Sequence, residues 1–245
     1  MAEARKTALI TGSGKNIGRA SALALARMGF NIVVNGSSNR TNCDNVADEV
    51  RAIGTDAHVV MCDVGDKAQV EALAAEAIKT FGNVDVLVNN AAIRPNTSFL
   101  DGDDADWERV LNIDFHSARR LSKACIPGMI EKGWGRIINF GGMNAFKGYE
   151  GKAPVSVAKH ASWGLTKCLA KEFADRGITA NIISPGPIAD DEGVGDEGKA
   201  GYVKTVPVGR KGTPAEVAAM VALLASDEGA YINGQLLQVN GGAVG

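Results

Sequence analysis

Short apolar runs alternate with amphipathic stretches along nearly the whole chain. Thr7 to Ile10 is an apolar run that ends in the Gly-rich Thr11-Gly12-Ser13-Gly14-Lys15-Asn16-Ile17-Gly18, after which Ala20, Leu23, Ala24 and Met28 recur at helical spacing. That order predicts strand, glycine turn and helix. Gly29 stops the helix, Asn31 to Val34 forms a second β-branched run, and polar Asn35 to Asn42 leads into a helix around Val46 to Ile53. The alternation continues with a strand at Ala57 to Met61, a helix at Gln69 to Phe81, a strand at Val84 to Val88 and one long helix from Trp107 to Met129. Gly135 to Phe140 is the fifth strand, Val155 to Phe173 a helix, Thr179 to Ile183 the sixth strand, Pro214 to Ala225 a helix and Gln235 to Val239 a closing strand. Strands separated by helices predict an α/β fold, a doubly wound parallel sheet with helices on both faces. Right-handed crossovers then put a ligand beyond the carboxyl ends of the strands, where strand order reverses. Asp190 to Lys204 breaks the rhythm, being acidic, rich in glycine and without a period. It reads either as a mobile cover over a substrate or as an ordinary surface loop.

A length of 245 residues suits one layered unit with a single large core. The formal net charge of -2 argues against a general polyanion-binding surface, so nucleic acid is not an expected partner. Cys43, Cys62, Cys125 and Cys168 form no C-x-x-C pair and have no His at ligand spacing, which reads as reduced thiols with no metal site. No window has the roughly 18 uninterrupted apolar residues of a membrane span. The opening Met-Ala-Glu-Ala-Arg-Lys lacks the apolar run of a signal peptide, so the expected address is the cytoplasm, with no membrane partner.

A glycine turn between strand and helix lets the backbone approach a diphosphate, and the helix N-terminus offers unpaired N–H groups and a positive dipole end. A nucleotide-triphosphate P-loop fits poorly, because Lys15 is followed by Asn16 and the glycine spacing is wrong. The turn alone is a weak signal. Taken with Asn89-Asn90-Ala91-Ala92 after the fourth strand, Lys159 in the helix after the fifth, Pro185-Gly186-Pro187-Ile188 after the sixth, Gly209-Arg210, Pro214, and the ending Ile232-Asn233-Gly234-Gln235 to Val239-Asn240-Gly241-Gly242, the chain resembles the short-chain dehydrogenase/reductase family. The resemblance covers nearly all of residues 1–245 and implies one Rossmann-type dinucleotide-binding domain. It implies that Gly12, Ile17 and Gly18, with their turn neighbours Ser13, Lys15 and Asn16, border the pyrophosphate. Asp63 and Val64 would then border the adenine, Asn90, Ala91 and Ala92 the ribose side, and Pro185, Gly186 and Ile188 the nicotinamide. Asn16 stands at the family's usual second glycine, and Asn tolerates a left-handed backbone there. Asp190 falls where a hydroxyl residue often meets the nicotinamide amide, and is either an acceptor for it or a solvated loop residue.

An NAD site places a carboxylate at the end of the second strand, where it binds the ribose 2'-hydroxyl and repels a 2'-phosphate. This chain has Gly36, Ser37 and Ser38 there, with Lys15 and Arg40 nearby, so NADP(H) is expected over NAD(H). The family's Ser and Tyr donate hydrogen bonds to the substrate oxygen, a Lys one helical turn beyond the Tyr holds the nicotinamide ribose, and an Asn supports a water. Here the resemblance assigns Lys159 and Asn112 to the last two roles, whereas Val155 stands four residues before Lys159 and Gly142 occupies the serine position. A positioned general acid contributes roughly 10²- to 10⁴-fold, so the loss demands a substitute. Two routes stay open, the Tyr149 phenol or a relay from Lys159; Ser156 and His160 are rotated away around the helix, and Asn144 can donate but not act as an acid. The expected function is an NADP(H)-linked oxidoreductase acting on a small carbonyl, alcohol, imine or activated alkene. The alternatives are a non-redox or regulatory nucleotide-binding protein on the same scaffold and a structural subunit. The resemblance also implies a homodimer or homotetramer.

Overall fold

The computed structural model describes residues 5–190 and 206–243; most of the acidic, glycine-rich segment expected as a cover lies outside them. Seven parallel strands form one sheet in the order β3-β2-β1-β4-β5-β6-β7. They are β1 Thr7–Ile10, β2 Asn31–Gly36, β3 Ala57–Met61, β4 Val86–Asn89, β5 Gly135–Phe140, β6 Ile178–Pro185 and β7 Leu236–Val239. The helices are α1 Asn16–Arg27, α2 Arg40–Ile53, α3 Lys67–Phe81, α4 Asp104–Leu111, α5 Ser117–Lys132, α6 Ala153–Glu172 and α7 Pro214–Ala225. Each crossover carries a helix onto one of the two faces, which is why the central strands are apolar on both sides. Ile10, Ile32 and Val34 pack with Leu25 of α1, Val50 of α2 and Val221 of α7 in one core. Leu9, Val33 and Leu87, one residue out of phase, pack with Leu73 of α3, Leu121 of α5 and Leu169 of α6 in the other.

Local chemistry sets the helix ends. Asn39 caps α2 by accepting from Asn42 N, and Gly54, at φ 105°, ends it in the left-handed conformation. Thr213 and Glu216 form a reciprocal capping box on α7, with Pro214 in the first turn.

The single long helix expected from Trp107 to Met129 is instead two helices joined by a π-helical turn, Asn112–His116. Ser117 N bonds Asn112 O across this widened turn, and the loosened carbonyls take side-chain donors: Ser117 Oγ to Ile113 O, and Ser162 Oγ of α6 to Asp114 O at 3.2 Å. A hydrophobic period cannot register one inserted residue, but the insertion rotates everything before it relative to everything after it.

Candidate active site

Strand order reverses between β1 and β4, and there, above the carboxyl ends of the strands, opens a cleft of about 720 Å³. Its floor is the turn after β1. Gly12 has φ +63°, and a Cβ at Gly18 would collide with Gly12 O and approach Asn90 Nδ2 to 2.8 Å. Asn16 has φ +51°, a left-handed backbone that Asn tolerates. Among the described residues no side chain caps the N-terminus of α1, and its first residues, Lys15, Asn16 and Ile17, line the cleft. A turn that a methyl group would fill, below an uncapped helix, fits an extended diphosphate.

Other strands brace this turn. Asn90 Nδ2 donates to Thr11 O at 2.9 Å and Gly12 O at 3.0 Å, while Thr11 Oγ1 accepts from Asn90 N and Ala91 N, both at 3.0 Å. Asn35, buried at the end of β2, accepts from Gly12 N through Oδ1 and donates through Nδ2 to Val60 O and Cys62 O. Asn35 lines the cleft and was not among the residues expected there; a polar residue near the end of an apolar strand was the signal for it.

Most residues that the resemblance assigned to a nucleotide meet here. Gly12, Lys15, Asn16, Ile17, Gly18, Ser37, Asp63, Val64, Asn90, Ala91, Ala92, Pro185, Gly186 and Ile188 all line the cleft, as do Tyr149, Asn144 and Asp190. Four do not. Ser13 is fully buried and works within the turn, its Oγ donating to Ile10 O and accepting from Asn35 N. Arg40 lies along α2, paired with Asp44 at 2.9 Å, because an i,i+4 carboxylate is its nearest counter-charge. Asn112 accepts from Arg120 at 3.3 Å. Lys159 lies beneath the cleft, its side chain 4% exposed.

The residue that faces Lys159 is Asp114, brought there by the π turn. Its Oδ2 is 3.2 Å from Lys159 Nζ, its side chain is fully buried, and its Oδ1 accepts from Ile93 N at 2.8 Å. Burial holds the Lys159 ammonium below the usual lysine range, Asp114 pulls it back up and Arg94 pushes it down. Asp114 stands two residues past Asn112 in the sequence, on a different side of the turn.

Gly142 and Val155 stand where hydroxyls were sought. Gly142 has φ +63° and ψ −178°, a conformation open to glycine, and a Cβ there would meet nothing within 4 Å. Val155 is buried against Val110 and Ala158. Beside them Ser156 Oγ donates to Asn144 Oδ1 at 3.1 Å, which turns the Asn144 amide nitrogen away from α6.

An enoyl-(acyl carrier protein) reductase family model matches residues 12–244. The chain belongs to the short-chain dehydrogenase/reductase family. Among its short-chain dehydrogenase/reductase relatives, 3-oxoacyl-[acyl-carrier-protein] reductase FabG of Escherichia coli is 39% identical over 239 residues, covering 97% of this chain and 96% of the relative. The crystal structure of acetoin dehydrogenase from Enterobacter cloacae superposes with a TM-score of 0.92 at 33% identity, over 99% of this chain and 96% of that one. A Beutenbergia cavernae protein described as an NAD(P)-dependent gluconate 5-dehydrogenase, with NADP bound at low occupancy, gives 0.90 at 34% identity over 97% and 96%. This short-chain dehydrogenase/reductase is an oxidoreductase built on one Rossmann-type domain, and no helix among its described residues is long and apolar enough to cross a membrane.

Proposed function

We propose that this protein is an NADP(H)-linked oxidoreductase that interconverts a small carbonyl compound or its imine or alkene counterpart with the reduced product, using proton donors other than the family's Ser and Tyr. The observation that carries the reading is the cleft itself: a glycine cradle, an uncapped helix N-terminus and the Pro185 to Ile188 wall meet in one space. When bound, the nicotinamide supplies or accepts the hydride. Lys15 and Ser37 are the donors offered to a 2'-phosphate. The structure adds a steric argument for that choice. A Cβ at Gly36, at the end of β2, would stand 2.5 Å from the buried Cys43 Sγ, so a carboxylate of the NAD-binding kind is excluded unless Cys43 moves. The NADP bound in the Beutenbergia protein supports the same reading.

At the reacting end, Tyr149, whose Oη is buried in the cleft wall and turns outward to reach a substrate, gives or takes the proton, and Asn144 Nδ2 donates a second hydrogen bond to the developing alkoxide, with Ser156 fixing its orientation. Lys159 acts from below as a positive charge held in place by Asp114. The family likeness supports assembly as a homodimer or homotetramer, and residence in the cytoplasm.

Calorimetry with NADPH, NADH and their oxidised forms tests the first half, with Gly18→Ala as the site control. Expected are binding that favours the phosphorylated nucleotide and its loss in the variant. No heat with any of the four overturns the proposal. A screen of carbonyls, cyclic imines and activated alkenes then gives the turnover on which Tyr149→Phe should lower kcat by about 10²-fold or more with KM little changed.

A further inference from the structure

Two cations that line the cleft, Arg94 and Lys152, have no counter-ion among the described residues. Lys152, at the N-terminus of α6, donates from Nζ to Arg94 O at 2.9 Å and to Pro95 O at 2.8 Å. Both partners are carbonyls, which satisfy the ammonium's hydrogen bonds but leave its charge uncancelled. The same loop is tied down on either side: Ile93 N donates to Asp114 Oδ1 at 2.8 Å, and Thr97 N to Gly151 O at 3.1 Å. Arg94 therefore springs from a backbone clamped at four points, beside the ammonium that clamps it. Both residues line the cleft together with Gly142, Asn144 and Tyr149.

Among the described residues, neither Arg94 nor Lys152 forms an ion pair, although ten other pairs do form. The cleft carboxylates are otherwise placed: Asp63 faces Arg109 at 3.6 Å, while Glu150 and Asp190 lie in the lining without reaching either cation. Like charges brought together by a rigid clamp repel one another, and Lys152 is accordingly held below the usual lysine range, first by burial and then by Arg94. An anion beside both groups would offset their mutual repulsion, and a guanidinium is shaped to take a carboxylate through two parallel hydrogen bonds.

We infer that the substrate carries a carboxylate close to its reacting carbon, as a small oxo or hydroxy acid does, and that Arg94 binds that carboxylate with Lys152 as the fixed charge behind it. This rests on the proposed function, because it treats the Gly142 to Tyr149 end of the cleft as the reacting end.

Malonate, an unreactive dicarboxylate, and its dimethyl ester serve as probes, titrated calorimetrically with and without NADP+. Malonate should bind, the ester should not, and Arg94→Gln should weaken malonate about tenfold to a hundredfold. Arg94→Lys should recover part of that loss, and NADP+ affinity should stay within about twofold of the parent in both variants, which also reports that they fold. Equal binding of malonate by parent and Arg94→Gln, equal binding of acid and ester, or no binding of malonate by the parent would each overturn the inference. A parent protein that ignores NADP+ yet binds malonate through Arg94 would instead overturn the proposed function and leave this site standing.

Discussion

Replacing Asp114 by alanine removes the carboxylate that faces Lys159 and leaves an ammonium buried without a counter-charge. Removing one partner of such a pair typically costs about 3–5 kcal/mol, and the Ile93 N–H that Asp114 also holds adds about 1–3 kcal/mol if it stays unpaired. The charge part has a ceiling, because the lysine can shed its proton instead of staying charged. From an ordinary value of 10.5, deprotonation costs about 1.36 kcal/mol per pH unit, hence about 4 kcal/mol at pH about 7.5 and about 2 kcal/mol at pH about 9. The unfolded chain keeps its proton throughout this window while the folded variant gives it up, so the variant gains stability as pH rises. Urea denaturation followed by circular dichroism at those two pH values, at fixed protein concentration, should show a deficit that shrinks by up to about 2 kcal/mol. The double variant Asp114→Ala with Lys159→Met, which removes both charges, should recover much of the single variant's loss and show no such slope. A deficit in Asp114→Ala below about 1 kcal/mol at both pH values would refute the claim that this pair is what holds Lys159 beneath the cleft.

Two further outcomes follow from the packing. Gly36→Asp alone should destabilise the protein and leave its nucleotide preference in place, whereas Gly36→Asp with Cys43→Ala should gain at least about tenfold in NAD+ over NADP+ affinity, measured by titration; a complete switch in the single variant would remove Cys43 from the argument. Burial pushes the thiols of Cys62 up to about 11 and Cys125 up to about 12 from 9.0, so native protein retains protons that the unfolded chain loses, and stability should fall as pH rises above about 9. Lys159 works in the opposite sense, and the comparison that isolates the thiol is Cys125→Ala, whose urea midpoint should fall less steeply over that range; an unchanged slope would count against it.

The chain's own pattern determined its layers. Apolar runs with a period of two or none, separated by stretches with a helical period, record which faces are buried, and burial on both sides of a strand leaves one arrangement, the parallel sheet between helices. The glycine turn was equally legible, down to the left-handed backbone of Asn16, because the allowed conformations of Gly and Asn are properties of single residues. Contacts between distant segments were not. Asn112 was expected to support the chemistry, and it is Asp114, two residues further on, that the packed chain sets against Lys159, a contact that a period read along the chain cannot specify. Arg40 found a closer carboxylate on its own helix, and Ser13 was drawn into the turn that it helps to close. The approach of Lys152 to the carbonyl of Arg94 across 58 residues joins two separate loops, and even that of Cys43 to Gly36, within one β2–α2 connection, depends on how α2 packs back on the sheet. Periodicity encodes what each segment hides from water; only the packed chain decides which polar groups are then left facing one another.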